Sequence, residues 1–214
     1  MILICQDLTL CTALHRNRFY MVLFGLLLVG GNESERLPGG VTMWIFGYGS
    51  LMWDGWETER GCTRRMLADL LGYCRVFNKA SVKNWGTKSA PCPTLNLAKV
   101  AGGVCRGVAF EFPDGLKEEL LSYLSNREGK AFRLHEMPVR LESNSEVSAL
   151  VPLYEGQNVI DGKTLEETAA MVKAASGSDG SCFSYIKGIA EKLTGLGISD
   201  PVVAEFWRKV NPDA

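Results

Sequence analysis

Histidine is scarce in this chain: its 214 residues hold two, His15 and His135. The seven cysteines (Cys5, Cys11, Cys62, Cys74, Cys92, Cys105 and Cys182) include no C-x-x-C pair. Without clustered His or Cys ligands, the sequence gives no reason to expect a metal site. An excess of charge of one sign is also absent, with 23 basic residues against 24 acidic ones and a net charge of -1. The chain therefore lacks the positive field that draws proteins to nucleic acid or to anionic lipid, and neither is expected as a partner. No repeat or low-complexity tract is present, and no apolar run reaches the ~20 residues that span a bilayer. What is there is a globular composition, 46% hydrophobic, at a length that suits one domain or at most two. An odd number of unclustered cysteines is unlike a secreted disulfide framework, so we read them as reduced small hydrophobes in a cytoplasmic protein.

The first 42 residues differ from the rest. Their charges are few: Arg16, Arg18 and Arg36 against Asp7, Glu33 and Glu35, around the apolar run of residues 19–29. Basic residues before such a run form the pattern of a signal peptide, yet residues 30–35 offer no small-residue cleavage site, and the run is short for an anchor. Of three readings, a secretory signal, a short membrane anchor and a segment outside the working domain, we take the last. Residues 1–42 are then an extension, signal-like or translated from a start assigned upstream of Met43. Residues 43–214 form the domain.

From Met43 onward, short apolar runs alternate with turn signals. Residues 44–48 read as a strand entering a tight Gly-Ser loop, and residues 70–77 and 105–112 as further strands. Residues 132–141 and 147–154 make a hairpin across a polar turn. Pro113-Asp114-Gly115 starts a helix that keeps a 3.6-residue period through Leu124 and ends near Asn126. Thr164 and Glu167 have capping-box spacing, residues 186–196 mark a third helix, and Asp200-Pro201 opens a fourth. Strands first and helices late argue for an α+β domain. Residues 83–93 form the longest expected loop.

Two stretches could carry chemistry. In Phe46-Gly47-Tyr48-Gly49-Ser50-Leu51, glycines flank a tyrosine at a strand end, so consecutive N–H groups can face a carboxylate or a developing oxyanion. In Tyr123-Leu124-Ser125-Asn126-Arg127-Glu128-Gly129, Glu128 lies just after a helix, beside Arg127. An exposed ion pair at a helix end is the plain reading of that pair. A loop of N–H groups and one carboxylate nonetheless suffice for proton transfer on an amide. His135 lies in an expected strand without a partner motif and reads as a surface or hydrogen-bonded residue. Ser50 completes no G-x-S-x-G elbow. Trp44, Trp53, Trp56 and Trp85 are candidates for a pocket wall, with at least two expected to pack in the core.

The segment from Met43-Trp44 through Tyr48-Gly49-Ser50-Leu51 to Trp53 resembles the opening of ChaC-type γ-glutamylcyclotransferases. Residues 123–132 are similar to the family segment around its catalytic glutamate, and residues 176–185 with the helices after them are also similar. The resemblance covers about residues 43–210. It implies a small mixed β-barrel with flanking helices, Glu128 as general acid/base, and a loop of Ile45, Phe46, Gly47, Tyr48, Gly49 and Ser50 that holds the γ-glutamyl group. It implies cyclisation of that group to 5-oxoproline with release of an amine or peptide, Cys-Gly if the substrate is glutathione, and no tightly bound cofactor.

One stretch departs from the family. Glutathione-acting members carry Arg-Arg-Phe-Trp, then Gly-Ser and Asp-His-Arg, after the strand ending near Phe77. This chain reads Arg75-Val76-Phe77-Asn78-Lys79-Ala80-Ser81-Val82-Lys83-Asn84-Trp85-Gly86, which leaves glutathione open against other γ-glutamyl compounds. A non-catalytic γ-glutamyl-binding protein of the same fold and a serine hydrolase using Ser50 are the competing readings. The sequence sets no oligomeric state, and a monomer is the default expectation.

Overall fold

The computed structural model describes residues 41–52 and 55–212. The readings of residues 1–40 and of Trp53 lie outside the described residues. Five strands close into a barrel in the order β1-β3-β2-β4-β5. They are β1 (Thr42–Gly47), β2 (Arg64–Ser81), β3 (Cys92–Pro113), β4 (Phe132–Leu141) and β5 (Glu146–Tyr154). All neighbours are antiparallel except β1 and β5, whose parallel pairing makes the barrel mixed. Strand β1 includes Thr42, and the carbonyl of Val41 accepts the Asp114 N–H at 3.0 Å.

Strand β1 explains the barrel's two cores. Side chains alternate across a strand, and here both faces are buried: Met43 and Ile45 join one apolar cluster, Trp44, Phe46 and Tyr48 the other. The second cluster draws on all five strands, with Leu70, Cys105, Val139 and Val151 among its members, and so fills the barrel. The first lies between the outer wall and the helices, where Ile45, Phe110 and Phe112 meet Leu120, Leu124, Ile186 and Phe206. A doubly buried strand reads as a continuous apolar run, as residues 43–48 do. At Gly107 the walls approach so closely that a Cβ would meet the Gly47 oxygen at 2.3 Å, so no other residue fits there.

The later helices start at side-chain caps. Helix α1 (Trp56–Glu59) is a single turn and α2 (Lys117–Glu128) follows a 3-10 turn at Asp114–Leu116. Helix α3 (Leu165–Met171) carries the expected capping box: the Thr164 hydroxyl accepts from Glu167 N at 3.2 Å and the Glu167 carboxylate accepts from Thr164 N at 2.7 Å. A two-stranded ribbon, β6 (Ser176–Gly177) and β7 (Gly180–Ser181), leads into α4 (Cys182–Gly195). Helix α5 (Pro201–Val210) has Pro at its first turn, and Asp200 caps it by accepting Val203 N at 3.0 Å. Among the described residues no helix is long and apolar enough to cross a membrane.

Two expectations are corrected. Glu128 is the last residue of α2 rather than one past it, because the helix runs two residues beyond Asn126 before Gly129 (φ 85°) ends it. Cysteine usage, which carried the expectation of a cytoplasmic protein, is not uniformly reduced: Cys92 and Cys182 form a disulfide, with Cα atoms 5.4 Å apart across 90 residues of sequence. Both are fully buried, where the fold brings the start of β3 against the first turn of α4. Cys62, Cys74 and Cys105 are free thiols, and burial pushes the Cys105 thiol up to about 12.

Candidate active site

A cavity of about 480 Å³ opens at one end of the barrel. One wall is the loop after β1, residues 48–51. The C-terminal end of α2, residues 126–129, forms another, and Lys79, Thr94, Leu95 and Tyr185 contribute from β2, β3 and α4.

The loop is held by its carbonyls. Tyr48 O accepts from Arg75 Nε (2.8 Å), Gly49 O from Met52 N (2.9 Å), Ser50 O from Arg127 Nη2 (3.2 Å) and Leu51 O from Trp56 Nε1 (2.9 Å). In a planar trans peptide the N–H points away from the carbonyl that precedes it. Fixing the carbonyls of Tyr48, Gly49 and Ser50 thus aims the N–H groups of Gly49, Ser50 and Leu51 the opposite way, as a preorganised set of donors.

Arg75 is the anchor behind this loop. Its guanidinium is fully buried, donating also to the Arg106 carbonyl (2.7 Å) and pairing with Asp200 Oδ2 at 2.8 Å. Asp200 caps α5 with its other oxygen, so one carboxylate joins the last helix to the loop. Arg127 does the same for α2: Nη1 donates to the Tyr123 hydroxyl (2.9 Å), Nη2 to Ser50, and Nε lies 3.7 Å from Glu128 Oε1. Both side chains of that pair are mostly buried, 18% and 15% exposed, which departs from the plain reading of an exposed ion pair.

Glu128 sets the field of the cavity. Burial, and then the Glu128 charge, raise the pKa of Tyr48, whose hydroxyl donates to the Pro152 carbonyl at 3.0 Å. Burial foremost also raises that of Tyr185, with Glu128 adding to it. The Tyr185 hydroxyl accepts Leu95 N–H at 3.1 Å and keeps its own proton as a donor. Burial lowers the Lys79 pKa while Glu128 opposes the shift. Tyr48, Tyr185 and Lys79 thus all feel the Glu128 charge, each after the larger effect of burial.

A family profile described as ChaC-like protein matches residues 43–212. The chain belongs to the ChaC-like family. Among its ChaC-like relatives, an Arabidopsis thaliana protein named Gamma-glutamylcyclotransferase 2-3 is 28% identical over 79% of this chain and 89% of its own. The Glutathione-specific gamma-glutamylcyclotransferase of Escherichia coli is 30% identical over 74% of this chain and 68% of its own. The crystal structure of a yeast γ-glutamyl cyclotransferase specific to glutathione superposes with a TM-score of 0.70 at 21% identity, covering 80% of this chain and 96% of that one, and shares the fold.

In this ChaC-like chain Tyr48, Gly49, Ser50 and Glu128 line one cavity. Ile45 and Phe46 do not: both side chains are fully buried, one in each core, and Gly47 packs beneath Leu51. These three support the loop from below. His135 pairs with Glu155 at 2.7 Å and is not among the residues lining the cavity, so Ser50 has no histidine base there among the described residues. Trp44 and Trp56 pack in the cores, whereas Trp85 lines the cavity and tilts against Tyr185. Among the described residues no group of three or more His, Cys, Asp or Glu side chains could hold a metal ion. Sequence reasoning missed Arg75, Lys79, Tyr185 and Asp200. The 83–93 loop supplies Lys83, Asn84 and Trp85.

Proposed function

We propose that this chain is a γ-glutamylcyclotransferase, with Glu128 as its general acid/base and the loop of residues 48–51 as its anion receptor. The observation that carries this reading is the convergence on one cavity of a single mostly buried carboxylate and a loop whose carbonyls are held by hydrogen bonds. Glu128 takes a proton from the α-amino group of a γ-glutamyl substrate. The freed nitrogen attacks the γ-carbonyl carbon of the same glutamyl unit and closes a five-membered ring. The N–H groups of Gly49, Ser50 and Leu51 receive the α-carboxylate or the tetrahedral oxyanion. Protonated Glu128 returns its proton to the leaving nitrogen, the C–N bond breaks, and 5-oxoproline departs with an amine or peptide. The reaction is intramolecular, so the cavity's contribution is to hold the glutamyl chain curled.

Relatives that are named glutathione-specific support glutathione as the first substrate to try. The test is incubation of the purified protein with glutathione, γ-glutamyl amino acids and γ-glutamylamines, followed by mass spectrometry. Formation of 5-oxoproline with the matching amine or peptide is the expected result. Absence of 5-oxoproline from every compound would overturn the proposal.

A further inference from the structure

One wall of the cavity is built from two segments that are far apart in the chain, residues 83–95 and residues 176–185. Lys83, Asn84, Trp85 and Leu95 line the cavity from the first, and Tyr185 from the second. Neither segment carries Glu128 or the 48–51 loop, whose carbonyls are held by Arg75, Arg127 and Trp56.

The contacts between the two segments divide by burial. At the rim Ser178 N–H donates to the Lys83 carbonyl (2.9 Å), Asp179 N–H to the Asn84 carbonyl (2.7 Å) and Asn84 Nδ2 to Asp179 Oδ2 (2.7 Å), all between exposed residues. Exposed hydrogen bonds exchange readily with water, so such a rim opens locally. Deeper in, Leu95 N–H donates to the Tyr185 hydroxyl at 3.1 Å, and the Trp85 ring tilts against that of Tyr185 with centroids 5.3 Å apart.

The covalent tie between the same two segments is the Cys92–Cys182 bridge. Cys182 and Tyr185 stand at i and i+3 on α4, neighbours on one side of the helix, and Cys92 stands three residues before Leu95 on β3. The bridge thus fixes the spacing across which Tyr185 meets Leu95 and Trp85. Both cysteines are fully buried, yet exposed chain is close to each: Ser181 and Phe183 flank one, and residues 87–89 precede the other.

We propose that the Cys92–Cys182 bridge is a redox-controlled clasp of this wall: closed, it holds Tyr185 and Trp85 in place for the substrate, and its reduction by a thiol loosens the wall and weakens binding while Glu128 and the 48–51 loop keep their places. In the exchange a thiolate attacks one sulfur through the opened rim, forming a mixed disulfide and releasing the other cysteine as its thiolate. A second thiol attacks the mixed disulfide, so both cysteines end as thiols and the reductant leaves as its own disulfide. A bridge supplies only part of a domain's stability, so the reduced chain stays folded. The inference rests on the cyclotransferase reading for its activity readout and not for its structural one.

The test compares oxidised wild type, wild type reduced with dithiothreitol, and the Cys92→Ser/Cys182→Ser variant. The substrates are S-methylglutathione and γ-glutamylalanine, which carry no thiol that opens the bridge. Reduction is expected to raise KM by about 10-fold, the cost of ordering two freed side chains on binding, with kcat kept within about threefold. Reoxidation restores KM. The variant matches reduced wild type with or without dithiothreitol, which separates the bridge from the other cysteines. Amide hydrogen exchange read by mass spectrometry adds a measure independent of turnover: reduction speeds exchange over residues 83–95 and 176–185 but not over the 48–51 loop. An equal KM in the two states of wild type would overturn the inference, as would unchanged exchange. So would a reduced wild type that has lost its circular dichroism, because the bridge would then be a staple of the whole fold. If no γ-glutamyl compound is turned over, the cyclotransferase reading fails, while the exchange measurement still decides for or against the clasp.

Discussion

Arg75 is only 1% exposed. Burying a guanidinium is costly unless its hydrogen bonds and charge are met. Here they are met by the Tyr48 and Arg106 carbonyls and by Asp200. Replacing Arg75 by Met would leave the Asp200 carboxylate buried without its partner and would release the loop carbonyl. We expect Arg75→Met to lower the unfolding free energy by about 3–5 kcal/mol, the usual cost of breaking a buried pair from one side. Chemical denaturation measures this, and a loss below about 1 kcal/mol would contradict the anchoring role. Glu128 and the Tyr48-Gly49-Ser50 turn were legible in the sequence because each belongs to a compact local motif. Arg75, Lys79 and Tyr185 were not. Their roles come from partners on other strands and helices, such as Asp200 across 125 residues and Leu95 across 90, which no local pattern displays.

At the scale of elements, the capped helices were legible, whereas the one-turn α1 and the long strands were not. Thr164, Asp200 and Pro201 announce their helices because capping is settled within four residues of chain. Strands β2 and β3, by contrast, run 18 and 22 residues, while apolar runs mark only residues 70–77 and 105–112 within them. Gly72 (φ 79°) and Gly102 (φ 73°) look like strand breakers, yet each sits inside a continuous strand, Gly72 at the register shift between Leu71 and Tyr73. The disulfide was equally hidden, since a pairing across 90 residues has no spacing signature. It joins the start of β3 to the first turn of α4, three residues before Leu95 on one side and before Tyr185 on the other. Reduction, or the Cys92→Ser/Cys182→Ser pair of changes, is expected to cost about 2–5 kcal/mol, as for a native bridge closing a long loop. Denaturation curves with and without reductant check this, and coincident curves would contradict it.

Over the whole molecule, the closed barrel supplies a rigid rim, and residues from both the strands and the helices meet at one end of it. The loop after β1 is pinned by Arg75 from β2, Arg127 from α2 and Trp56 from α1, so its donors keep their aim without substrate. In the proposed mechanism such preorganisation lets one carboxylate suffice for the chemistry. The same economy makes the account vulnerable at a single position. Glu128→Gln keeps the shape and a hydrogen-bonding group but removes the base. The most direct measurement is 5-oxoproline formation by this variant beside wild type, with circular dichroism and thermal unfolding of both. The account predicts an intact fold and a loss of kcat of at least about 100-fold, the low end of what a general acid/base contributes. Undiminished turnover by a folded Glu128→Gln protein would contradict it.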